Sequence, residues 1–187
     1  MHLKQIIETV AEEVSSVMAN VNEEEARHLS ACLLSAKRIF VFGEGRSGLM
    51  AKAFAMRLMH GGFTVYVVGE TTTPSIGQGD LLVLVSGSGS SSMMDALVRT
   101  ARKAGADIGL VTTNRDAEIA KESASVVIVP AATKHRKETE PSTIQPLGNQ
   151  FDQTVHLLLD AIIIFTLNQS KKHHSFEDMK QTHTNLE

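Results

Sequence analysis

Leu81-Leu82-Val83-Leu84-Val85-Ser86-Gly87-Ser88-Gly89-Ser90-Ser91-Ser92 sets an unbroken apolar run directly before a cluster of glycine and serine. Apolar sequence without alternation marks a strand covered on both faces, as in a parallel sheet. Four more short runs rich in β-branched residues lie at 38–42, 63–68, 107–112 and 125–129, and helical patterns at 49–60, 92–104 and 117–123 separate them. Strands alternating with helices predict βαβ units, joined by right-handed crossovers. The expected fold is α/β: a five-stranded parallel sheet in the flavodoxin-like order 2-1-3-4-5, sandwiched by helices.

Further out, apolar spacing predicts a helix over 3–20 and a second to about Ala36, with Asn22 as N-cap and Glu23, Glu24 and Glu25 in the first turn. Another strong helix covers 151–168, with Val155, Leu158, Leu159, Ile162 and Ile163 on its apolar side. The two N-terminal helices (1–36) read as additions to the minimal sandwich. With the Met-rich helix 49–60 and the polar tail 169–187, they are expected to make oligomer contacts. The connection 130–148 exceeds the usual ~4–6 residues, which marks it as functional or disordered. No linker divides the chain, so 1–187 reads as one domain.

Composition narrows the function. A net charge of −3 over 187 residues disfavours a dedicated nucleic-acid binder. With 4% aromatics and no Trp, base-stacking surfaces are not expected. The single cysteine permits no internal disulfide and fits a reducing, cytoplasmic setting. The charged start, MHLKQIIETVAEE, has no signal pattern, and no apolar run approaches the ~20 residues that cross a bilayer. Neither nucleic acid nor membrane is expected as a partner.

Two loops carry the chemistry. Gly43-Glu44-Gly45-Arg46-Ser47-Gly48 follows the first strand and matches G-x-G-x-x-G, with Glu70 near the end of the second strand. That is the dinucleotide fingerprint, although such a loop before a helix can equally hold one phosphate or a sugar hydroxyl. A P-loop is excluded because Leu49-Met50 follows Gly48. The second loop, Ser86–Ser92, packs five hydroxyls and two glycines into seven residues. Hydroxyls donate to phosphate oxygens, and glycines let backbone N–H groups converge on them. In the order 2-1-3-4-5 the ligand crevice opens between strands one and three, where both loops lie. One sugar phosphate accounts for both; a dinucleotide accounts mainly for the first.

The pair GRSG (45–48) and SGSG (86–89), with Thr143-Ile144-Gln145-Pro146-Leu147-Gly148 before the last long helix, resembles the sugar isomerase (SIS) domain family. Gly45–Lys52, Ala55–His60 and the ending Asn185-Leu186-Glu187 make it most similar to the 6-phospho-3-hexuloisomerases of the ribulose monophosphate pathway. The resemblance runs nearly end to end. It implies isomerisation of D-arabino-hex-3-ulose 6-phosphate to fructose 6-phosphate, without a cofactor or metal. It also implies a homotetramer whose tail packs near a neighbouring subunit's site. Other sugar-phosphate isomerases and sugar-phosphate sensors share the same loops.

Carried to this chain, the resemblance puts substrate contacts at Ser47 and along Ser86, Gly87, Ser88, Gly89, Ser90 and Ser91; Arg46 or backbone N–H groups of the first loop are candidate donors to the enediolate oxygen that such a reaction develops. Ser86, Ser88 and Ser91 are the matching hydroxyl donors. The family's basic glutamate falls at Asp152, one methylene shorter; an acid here also suits a helix N-terminus for structural reasons. His183 is the candidate second acid/base. His60 is expected to cap or pack. Adjacent His173 and His174 do not form a helical metal pair. Lys134, Arg136 and Lys137 read as a solvated loop face, and Cys32 as a small packing residue.

Overall fold

The structure, a computed structural model, describes residues 1–170 and 176–185. His173, His174, Leu186 and Glu187 lie outside the described residues. The elements are α1 (Leu3–Ala19), α2 (Glu23–Ser35), β1 (Ile39–Gly43), α3 (Gly45–His60), β2 (Val65–Val67), β3 (Leu81–Val85), α4 (Ser92–Lys103), β4 (Asp107–Thr112), α5 (Glu118–Glu122), β5 (Ser125–Ile128), α6 (Asn149–Gln169) and α7 (Phe176–Gln181).

The five strands are parallel and ordered β2-β1-β3-β4-β5, as the sequence predicts. Strand alternation divides the core in two. Ile39, Val41, Leu81, Val83 and Val85 face one layer, with Leu29, Leu33, Phe54, Leu58 and Val155. Phe40, Leu82, Leu84, Ile108 and Leu110 face the other, with Met94, Val98 and Ile119. β3 is buried along its whole length, which explains its unbroken apolar sequence. Truncating Phe54, 2% exposed, would cost about 3–5 kcal/mol by the usual cost of emptying such a site.

Three expectations change. First, α2 belongs to the sandwich. Leu29 and Leu33 are fully buried and α2 packs on β5 and α6, whereas α1 rests on α6. Second, α3 begins at Gly45, not Leu49, so Arg46 and Ser47 lie on its first turn. Gly43 and Gly48 bring strand and helix backbones together: a Cβ on Gly48 would lie 2.5 Å from the Gly43 oxygen. Third, α6 is 21 residues long and apolar enough to cross a membrane by length and composition. Here Phe151, Val155, Leu158, Leu159, Ile162 and Ile163 are buried in the core, the burial pattern of a core helix.

Candidate active site

A cleft of about 670 Å³ opens between the loops after β1 and β3, at the C-terminal edge of the sheet. Ser86, Gly87, Ser88 and Ser90 line it. The serine loop is shaped by its own hydroxyls and by the segment after β4. Ser86 Oγ accepts the Gly89 N–H (3.2 Å), and Ser88 Oγ donates to the Ser90 carbonyl (3.1 Å). Thr112 and Thr113 hydroxyls donate to the Gly87 carbonyl, and Asn114 Nδ2 donates to the Ser88 carbonyl. The loop's carbonyls are thus tied to β4. The hydroxyls that line the cleft can donate to an anion, Ser88 by turning away from the Ser90 carbonyl.

Gly89 and Ser91 do not line the cleft. Gly89 turns the chain at φ +70°, where a Cβ would meet Ala117 Cβ at 2.8 Å and Thr112 Oγ1 at 2.9 Å. Ser91 is the N-cap of α4, its Oγ accepting the Met94 N–H at 3.1 Å. Of the expected hydroxyl donors Ser86, Ser88 and Ser91, the first two line the cleft, and Ser90 lines it beside them.

Asp152 lies in the first turn of α6, 6% exposed, and also lines the cleft. Its Oδ1 accepts the Ser47 hydroxyl at 2.8 Å, and Arg46 Nε lies 3.4 Å from Oδ2. Burial pushes the Asp152 carboxyl above its ordinary value; the Ser47 hydroxyl and the Arg46 guanidinium pull it back only in part. Its charged form is thus destabilised while it stays within reach of a ligand, the usual condition of a tuned general base. Arg46 does not line the cleft; it pairs with the carboxylate.

Several cleft residues escaped the sequence reading. Glu44, N-cap of α3, lines the cleft with no side-chain capping bond. Thr113 and Asn114 follow β4, and their position after a parallel strand was the available signal. Lys134 and Lys137 are exposed, as expected of a solvated face, and they line the cleft as well. The reason is that loop 130–148 folds back: Arg136 donates to the Gln145 carbonyl and Glu140 accepts from the Thr133 backbone and hydroxyl. The cleft therefore joins carboxylates, from Glu44 and Asp152, to hydroxyls and ammonium groups, from the serine loop and Lys134 and Lys137.

Other candidates lie elsewhere. His183 does not join Asp152 within one chain. Its ring stacks on His60, at the opposite end of α3 from Ser47, with centroids 5.2 Å apart. His60 is 4% exposed, and burial, then His183 and Arg57, hold its imidazole below the ordinary value. Glu70 pairs with Lys52 at 3.7 Å and does not line the cleft, so the dinucleotide fingerprint lacks its acid there. Cys32 is half-buried against the core and its thiol is raised by burial, then by Asp107. Among the described residues no group of His, Cys, Asp and Glu could hold a metal ion.

The SIS domain family matches residues 32–147. The chain is 39% identical to the 3-hexulose-6-phosphate isomerase of Bacillus subtilis over 190 aligned positions, covering both chains fully. It is 41% identical to that of Mycobacterium gastri, covering 95% of this chain and 88% of the relative. A solved protein of Methanococcus jannaschii, whose structure infers a function of 3-hexulose-6-phosphate isomerase, superposes with a TM-score of 0.80 at 29% identity, covering 96% and 98% of the two chains.

Proposed function

Since this chain belongs to the 3-hexulose-6-phosphate isomerases of the SIS domain family, we propose that it converts D-arabino-hex-3-ulose 6-phosphate to fructose 6-phosphate, the isomerase step of the ribulose monophosphate pathway. The observation that carries the reading is one cleft holding both a phosphate-type serine loop and a buried carboxylate, Asp152.

The reaction moves a carbonyl from C3 to C2. The phosphate rests among the hydroxyls of Ser86, Ser88 and Ser90, with Lys134 and Lys137 adding positive charge. Binding energy from that remote group holds the reacting carbons in place. Asp152 takes the proton from C2, giving a 2,3-enediolate. The O2 proton moves to O3 as the protonated Asp152 returns a proton to C3, leaving the carbonyl at C2. Hydrogen shifts only within the substrate, so no redox cofactor is consumed. Backbone N–H groups at the start of α3 supply partial positive charge for the enediolate. Arg46 acts through Asp152, restraining the upward shift of its pKa.

The test is a coupled assay for fructose 6-phosphate with purified protein. Asp152→Asn is expected to lower turnover by ~10²–10⁴-fold, the usual contribution of a general base, with sugar-phosphate affinity nearly intact. Glu44→Gln serves as the control for the other cleft carboxylate and is expected to retain turnover. Absence of product at high wild-type enzyme would overturn the reading, and a fully active Asp152→Asn would clear Asp152 of the base role.

Assembly into a homo-oligomer, a tetramer by the family resemblance, belongs to the same proposal. Leu49, Met56 and Met59 on α3 and Leu157 and Ile164 on the adjacent α6 are large apolar side chains left exposed. Neighbouring exposed apolar groups of this kind mark contact surfaces, and sedimentation analysis of the purified protein reads the subunit count. His183 enters the chemistry only across such a subunit boundary.

A further inference from the structure

We propose that Glu13, on α1, is a positioning residue for the Asp152 base: its carboxylate clasps 143–145 and thereby holds the start of α6 at the cleft. The inference rests on the reading of Asp152 as the base.

Glu13 takes three donors on one carboxylate. Oε1 accepts the Ile144 N–H at 2.8 Å, while Oε2 accepts Gln145 Nε2 at 2.9 Å and the Thr143 hydroxyl. Hydrogen bonds to an ionised acceptor are the stronger kind. Burial works against the charge, but the bonds from Thr143, Gln145 and Ile144 outweigh it and hold the Glu13 carboxyl below its ordinary value. The clasp is therefore fully charged at neutral pH.

The clasp reaches Asp152 through Gln145. That side chain is 2% exposed, and while Nε2 donates to Glu13, Oε1 accepts Asn149 Nδ2 at 2.8 Å. Asn149 is the first residue of α6, and Asp152 completes that first turn with its N–H on the Gly148 carbonyl. The helix start has no side-chain cap of its own. Just before it, Leu147 stands at φ +52°, a conformation that persists in a non-glycine residue only when its surroundings impose it. An uncapped helix start beside a strained residue needs an outside hold, and Glu13 anchors it. Gln150 Oε1 separately accepts the Ala132 N–H in the interior. Loss of Glu13 therefore loosens the loop without unfolding α6.

The test compares Glu13→Ala and Glu13→Gln with wild type by steady-state kinetics and by amide hydrogen exchange over 143–152. For Glu13→Ala, kcat is expected to fall about 10- to 100-fold, as for a base displaced by a fraction of an ångström to 1 Å. KM is expected to stay within about threefold, because the serine loop is untouched. Glu13→Gln keeps one acceptor oxygen but sets an amide donor against the other donors, so its kcat falls between the two. Exchange over 143–152 is expected to quicken in Glu13→Ala while the β3 and β4 amides remain protected, which separates the effect from unfolding. A folded Glu13→Ala protein with wild-type kcat, a rise in KM alone, or unchanged exchange over 143–152 would each overturn the proposal. Were wild type inactive, the isomerase reading would fall; the exchange comparison would still decide the clasp, quickening supporting it and no change overturning it.

Discussion

At the scale of single residues, the proposed chemistry depends on how strongly Asp152 holds its proton. Burial raises its pKa and the Ser47 hydroxyl is the first of the groups that lower it. Ser47→Ala removes that hydrogen bond, so the pKa of Asp152 rises further. A general base works when ionised, so the acid limb of the kcat profile moves to higher pH. A pH–rate profile checks this; an unmoved limb or a shift to lower pH would refute it. The place of Asp152 at the cleft was legible in the sequence because it follows a recognisable segment, QPLG, and begins a strongly apolar helix. Glu44 sat within a recognised motif, but its type is not part of the motif. Lys134 and Lys137 could not be read at all, since only the fold-back of 130–148 turns an ordinary charged loop toward the cleft.

At the scale of elements, the serine loop shows how backbone geometry presents side chains. Gly89→Ala would force a non-glycine residue to φ +70° against Ala117 and Thr112. The left-handed conformation alone costs roughly 1–2 kcal/mol, and the clash adds to it. The expected outcome is a lower melting temperature together with weaker sugar-phosphate binding, read by thermal unfolding and titration calorimetry. Unchanged affinity would mean that the loop does not hold the phosphate. The elements themselves were largely legible, because β3 is buried on both faces and its neighbours alternate with amphipathic helices. The start of α3 was misjudged because glycines suggest a loop. In the fold, Gly43 and Gly48 serve a close contact of strand on helix, so the helix begins within the motif. The role of α2 was hidden because Leu29 and Leu33 give the same periodicity whether they meet this sheet or another subunit.

At the scale of the whole molecule, the distance between Asp152 and His183 within one chain becomes informative. If the tail of one copy serves the cleft of another, Asp152→Asn and His183→Ala spoil different halves of a shared site. Each variant alone is expected to be nearly inactive. Co-refolded as a mixture, they are expected to recover part of the activity, because some interfaces then pair an intact Asp152 with an intact His183. Activity in His183→Ala alone, or no recovery on mixing, would remove His183 from the reaction. One chain's sequence could not show this, since nothing in it specifies which copy the tail meets. The boundary of the SIS match, 32–147, has another consequence. It contains the serine loop and Ser47 but neither Asp152 nor Glu13. The proposed base and its clasp therefore stand on α6 and α1, elements from the two ends of the chain that the fold packs together.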